Sequence, residues 1–175
     1  MSCVLTTGIN STVCKDGTPG VIRFFITELA NIESYTLAAG VITAMDLVAG
    51  KQFWIYEQIK ESSSWTEELI TNVQAGSIGF SQTVNISIPR RTATKVNEIK
   101  LLAQNSLVVI VEDANNYYSV IGLTRGADLD NGSKYDSGIK LGDKNGWDLV
   151  FKGSEHDPAP NISDTIVARL THPAS

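Results

Sequence analysis

The chain is poor in the residue types that chemistry requires. Its 175 residues include only two cysteines and two histidines. Cys3 and Cys14 are too few for a structural zinc site and stand in no redox motif, so both are expected to be reduced. His156 and His172 lack metal-ligand spacing, and neither GxGxxG nor GxxxxGK[ST] follows any candidate strand. No metal and no cofactor is expected. Basic residues are also in the minority, with 14 Lys and Arg against 19 Asp and Glu and a formal net charge of -5. A protein that grips nucleic acid neutralises phosphate with clustered Lys and Arg, and this balance argues against it. No run approaches the ~18 apolar residues of a membrane-spanning helix, so no membrane anchor is expected. The first residues lack a basic segment, apolar run and cleavage site, and the expectation is synthesis and folding in the cytosol.

What the chain does have is strand-forming sequence. Hydrophobic residues make up 42% and charged residues 19%, which is enough for a packed core in one domain over 1–175. Val21–Thr27 is β-branched and aromatic and follows a Gly/Pro turn, so it reads as a first strand. A second apolar run covers Val41–Val48. Over Gln52–Lys60, Phe53 and Ile55 alternate with Trp54 and Tyr56, which suits a strand covered on both sides, one cover being a neighbouring subunit. Trp65–Val73 is a further strand. The clearest alternation sets Ile78, Phe80, Gln82, Val84, Ile86 and Ile88 against Gly79, Ser81, Thr83, Asn85 and Ser87, a long half-buried strand that stops at Pro89.

The period changes once. Across Thr92–Asn105 the residues Ala93, Val96, Ile99, Leu102 and Ala103 form the stripe of a helix docked on a sheet, with Thr92 or Thr94 as its cap. A hairpin follows from Leu107–Val111 and Tyr117–Leu123. The stretch 125–145 holds four glycines among Asp and Asn and little apolar periodicity, so it reads as a long loop or arm ordered by a partner. Gly146 is expected to supply a positive φ for a tight turn, after which Trp147, Leu149 and Phe151 face one side of a strand and Asp148, Val150 and Lys152 the other. Ile162, Ile166 and Val167 read as a last strand within a C-terminal arm over 158–175.

Few residues suggest a reactive site. Asp128-Leu129-Asp130-Asn131-Gly132 opens like a calcium loop, but it lacks the third ligand before glycine and has Ile139 at the twelfth position. A solvated or intersubunit loop explains it better. Ser154, Glu155 and His156 adjoin in sequence, whereas catalytic groups must converge in space. Arg90 and Arg91, with Lys95 and Lys100, read as a solvated helix face. Trp54, Tyr56 and Trp65 are candidates for stacking on a sugar and, more often, for core or interface packing. No constellation supports an enzyme.

Two segments resemble a known family. Asn97-Glu98-Ile99 through Leu102-Ala103 into Leu107–Val111, then Asn115-Asn116-Tyr117-Tyr118 and Ile121-Gly122, is one; Gly142-Asp143 through Asn145-Gly146-Trp147 to Gly153, with Glu155 and Pro158 beyond, is the other. Their order is similar to that in tail tube and related structural proteins of tailed bacteriophages, including phages of Bacteroidota hosts. The match covers roughly the C-terminal half and marks turns and packing. It implies an antiparallel β sandwich or barrel of two packed sheets with one flanking helix. It further implies a virion subunit that forms stacked, hexameric rings around a neutral to acidic DNA channel. Partners would be other copies of itself, tape measure, terminator, baseplate or tip proteins, and DNA in transit. Arg125, Asp128, Asp130, Lys134, Tyr135 and Lys140 are then candidates for an intersubunit loop, and Trp54, Tyr56 and Trp65 for interface aromatics. A connector, tail-terminating or tail-tip ring is an alternative within the same class. A carbohydrate-binding β-sandwich module is the alternative from another.

Overall fold

The computed structural model describes residues 8–9 and 17–172. Its strands are β1 (Val21–Glu28), β2 (Ile32–Ala38), β3 (Val41–Leu47), β4 (Trp54–Glu57), β5 (Ser64–Asn72), β6 (Ser77–Pro89), β7 (Leu107–Asp113), β8 (Tyr118–Ile121), β9 (Ala127–Leu129), β10 (Lys134–Asp136), β11 (Gly146–Glu155) and β12 (Asn161–Ile162). Two helices, α1 (Ala93–Gln104) and α2 (Asp164–Leu170), complete it. The fold is mainly β, a sandwich with a flanking helix, as the alternation and the helical stripe lead one to expect. All strand pairs are antiparallel except β3 with β12.

Hydrogen bonding runs β2-β3-β12-β8-β7-β9-β11-β6-β5, with β1 on the other edge of β7 and β4 outside β1. β7 meets β9 only at Leu107 opposite Ala127. There the sheet folds over, so β6 and β11 cover one face of β1, β7 and β8. Val84, Ile86, Ile88, Leu149 and Phe151 meet Phe24, Ile26, Val109, Val111 and Ile121 across that gap. Leu102 of α1 closes its side, with Ile99 partly buried beside it. Thr92 accepts from the Lys95 N–H and caps the helix. Leu102 is 5% exposed, whereas Ile99 is half-buried, so Leu102→Asp should destabilise more strongly than Ile99→Asp in urea denaturation.

A second core lies behind β7. Val108 and Ile110 point away from their neighbours and pack with Phe25, Ile42, Met45, Leu47, Phe53, Ile162, Val167 and Leu170. Strand periodicity thus gives β7 two buried faces. Of the last strand or arm expected from Ile162, Ile166 and Val167, Ile162 lies in β12, whereas Ile166 and Val167 are helical. Ile166, Val167 and Leu170 recur at helical spacing, and α2 covers this second core, its Leu170 carbonyl accepting from the Phe53 N–H at 2.8 Å.

Three other expectations change. The Gln52–Lys60 strand shortens to β4, because pairing with β1 covers only Trp54 to Glu57 and the Ile59 N–H turns to the Ser87 carbonyl; Phe53 enters the second core while Trp54 and Tyr56 face α1. The 125–145 stretch is not a free loop: β9 and β10 pair along the edge of β11 that β6 leaves open. Gly146 has no positive φ. It is small because its backbone lies against β6, where a Cβ would come within 2.4 Å of the Ile88 carbonyl oxygen.

Candidate assembly surface

Four strands end the hydrogen-bonded network among the described residues: β2 pairs only with β3, β5 only with β6, β4 only with β1, and the three-residue β10 only with β11. Each leaves a row of backbone donors and acceptors facing outward. Charged side chains, proline or covering elements usually blunt such edges. β6 is long because apolar residues alternate with Ser, Thr and Asn without a break, and β5 follows it in register from Ser64 opposite Asn85 to Asn72 opposite Ser77. β11 pairs with β6 only as far as Glu155 opposite Phe80. Beyond that point the end of the hairpin, 70–79, continues as two strands, with Ile70 and Ile78 beside Arg125, Glu155 and His156 where it leaves the sandwich. Leu69 and Ile70 are adjacent, hence on opposite faces, yet both are more than half exposed; Ile78 is 52% and Val73 93% exposed. No charged residue occurs from Leu69 to Pro89. One face of the hairpin end carries Leu69, Thr71, Ile78 and Phe80, the other Ile70 with Asn72, Ser77 and Gly79, and beyond Glu67 and Glu68 its free edge bears no charge. At the other end of the path, Tyr35, Leu37 and Val41 are exposed on the β2–β3 hairpin.

The third edge borders a groove. β4 and α1 enclose about 460 Å³ lined by Ile26, Trp54, Ile55, Leu101, Leu102 and Leu107, with Glu28, Asn31, Lys95, Glu98 and Asn105 at polar positions. Trp54 is 60% exposed here. The Tyr56 hydroxyl donates to Glu98 Oε1 at 2.6 Å, and burial together with that bond raises its pKa far above the ordinary tyrosine range. Tyr56 thereby ties β4 to α1.

The sequence-derived candidates separate in space. Trp54 and Tyr56 share the groove, while Trp65 lies on β5 opposite Val84 and packs half-buried on the main core. The three form no common platform. Among the loop candidates, Asp128 accepts from Ser106 Oγ at 2.8 Å and Asp130 pairs with Lys152 at 3.0 Å, so both serve the chain's own packing. The Lys152 ammonium, with the neighbouring backbone N–H groups of Gly132 and Asn131, holds the Asp130 carboxyl below its usual pKa. Lys134 lies opposite Asp148 in β10. Tyr135 packs on Trp147 at 5.2 Å between ring centroids, with Arg91 over both rings. The Arg125 backbone N–H, with that of Thr124, donates to buried Glu155. Lys140 alone stands on an exposed tip. Sequence reasoning missed β2, although Ile32, Ser34 and Thr36 alternate with Glu33, Tyr35 and Leu37, and it missed the projection of the β5–β6 hairpin, which depends on where β11 ends.

Among the described residues no three His, Cys, Asp or Glu side chains group as metal ligands, and no helix is long and apolar enough to cross a membrane. Comparison with protein-family models, curated proteins and solved structures finds no match to this chain.

Proposed function

We propose that this protein is a self-assembling structural subunit of a phage tail tube, forming stacked, hexameric rings that enclose a channel for DNA. The observation that carries the reading is the end of the β5–β6 hairpin, where Leu69, Ile70, Val73 and Ile78 are exposed and no charge guards the free edge beyond Glu68. An isolated subunit gains nothing by exposing it, whereas strand addition from a neighbour satisfies its backbone and covers Leu69, Ile70 and Val73. The free β2 edge lies at the opposite end of the strand path. Joining two different edges between copies makes a head-to-tail contact, and such contacts close into rings when the rotation permits. The resemblance of the helix, hairpin and terminal strand to tail tube proteins agrees with this, and a connector, terminator or tip ring would use the same edges. The net charge of -5 suits a wall past which DNA slides unheld.

Ile70→Lys tests the reading. The site is exposed in the subunit, so the melting temperature should stay close to wild type, while assembly followed by sedimentation should require about tenfold more protein or fail. Wild-type assembly by this variant would remove the hairpin from the interface.

A second reading, a carbohydrate-binding module, is favoured by one observation. Exposed Trp54 stands in a groove with Glu28, Asn31 and Asn105, an aromatic face beside hydrogen-bonding groups. Tryptophan fluorescence titrated with a glycan panel separates the two, since only the module predicts a response from monomers.

A further inference from the structure

The connection between β10 and β11 ends in a tip whose side chains touch nothing of their own subunit: Ile139 is 97% and Leu141 110% exposed. Two aliphatic residues held fully in water on a flexible loop would be unremarkable, but this tip is built. Asp143 Oδ2 accepts from the backbone N–H of Ile139 at 2.9 Å and of Lys140 at 2.7 Å, and the Asp143 N–H donates to the Lys140 carbonyl at 3.0 Å. The first two bonds depress the Asp143 pKa, that to Lys140 more strongly. The Gly138 N–H donates to Asp136 at 2.9 Å, and Gly138 takes φ +68° where a Cβ would sit 2.9 Å from that of Asp143. Ordering is thus complete before any partner arrives, which lowers the entropy cost of docking. The tip offers two apolar knobs with a single cation, Lys140, between them.

A matching receptor exists on another face of the same chain. The β4–α1 groove combines aliphatic walls from Ile26, Ile55 and Leu101 with the carboxylates of Glu28 and Glu98; its one cation, Lys95, donates to the Pro89 carbonyl, and Glu98 keeps one oxygen beyond its bond from Tyr56. Resting on the self-assembly reading above, we infer that the Ile139–Leu141 tip of one copy seats in the β4–α1 groove of a second copy, with Lys140 set against Glu28 and Glu98. The occupant is a copy of this chain because knob and groove match in both apolar character and charge sign. Since tip and groove are different surfaces, each copy gives one contact and receives one, and the contact propagates. It adds to the hairpin edges a second contact between subunits that places Trp54 under cover.

Single-cysteine chains test this. In a Cys3→Ser, Cys14→Ser background, one preparation carries Leu141→Cys and another Leu101→Cys; they are mixed, allowed to assemble and treated with a short bis-maleimide. Each chain then holds one thiol, so any L141C–L101C product joins two copies. A dimer-sized product confined to the mixture is expected. Assemblies that form without it overturn the tip-to-groove contact and leave the assembly reading standing. Absence of any assembly, in wild type as well, overturns both. Lys140→Glu should raise the protein concentration needed for assembly about tenfold at unchanged melting temperature, and Glu28→Lys in the same chain should recover part of the loss. Assembly of Lys140→Glu at the wild-type concentration would overturn the charge pairing.

Discussion

Gly146→Ala is expected to destabilise the subunit by about 3 kcal/mol, and Gly146→Val to prevent folding. Gly146 opens β11 opposite Pro89, the last residue of β6. An added Cβ would lie 2.4 Å from the Ile88 carbonyl oxygen and 3.2 Å from the Pro89 Cα. Both are backbone atoms, so no side chain can swing aside. Relief requires β11 and β6 to separate at the point where the register of the long pair starts, and where the Arg90 N–H donates to the Asn145 carbonyl at 2.9 Å. Trp147, Leu149 and Phe151 are aimed into the core by that register, and all three would be displaced together. Gly142 serves as the control: a Cβ there meets nothing within 4 Å, and Gly142→Ala should be nearly neutral. Urea midpoints of the two alanine variants provide the measurement. Equal midpoints would show that the close approach of β11 and β6 does not govern stability.

Ile110→Asp should abolish folding, and Ile110→Ala should cost about 3 kcal/mol. Ile110 is 0% exposed and belongs to the core behind β7, whereas its neighbour Val109, equally buried, belongs to the core between the sheets. An aspartate here would have no cation or hydrogen-bond donor supplied by Phe25, Ile42, Met45 or Phe53, and it would split α2 and β3 from the central strand. The alanine variant leaves a cavity at a site pinned by antiparallel pairing with Val120 on one side and Phe25 on the other, so collapse is limited. Circular dichroism during urea unfolding should show one transition shifted to lower denaturant. An unchanged midpoint for Ile110→Ala would contradict the two-core arrangement.

Local patterns were the legible part of this fold. The alternation from Ile78 to Ile88 depends only on neighbouring residues, and it became β6. The stripe Val96, Ile99, Leu102 became α1 with Thr92 as its cap, for the same reason. What escaped depends on partners distant in sequence. β9 and β10 carry little periodicity of their own and are strands because β11 offers them an edge. β12 is two residues long and exists by pairing with β3 and β8 at once. Gly146 shows the limit of local reading, because in a sequence a need for positive φ looks the same as the close backbone approach that this glycine allows. The candidate assembly residues followed the same division. Trp54 and Lys140 are exposed where the residue types suggested, while Trp65, Asp128 and Asp130 are engaged within the subunit. That the β5–β6 hairpin projects is a consequence of β11 ending at Glu155, which no local pattern announces.

The central claim is that these free edges build a closed polymer. Negative-stain electron microscopy of the purified wild-type protein over a range of concentrations tests it most directly. The account predicts rings or tubes of constant diameter with an open centre, lost in Ile70→Lys. A protein that stays monomeric at the highest concentrations, or that forms only irregular aggregates, would contradict it.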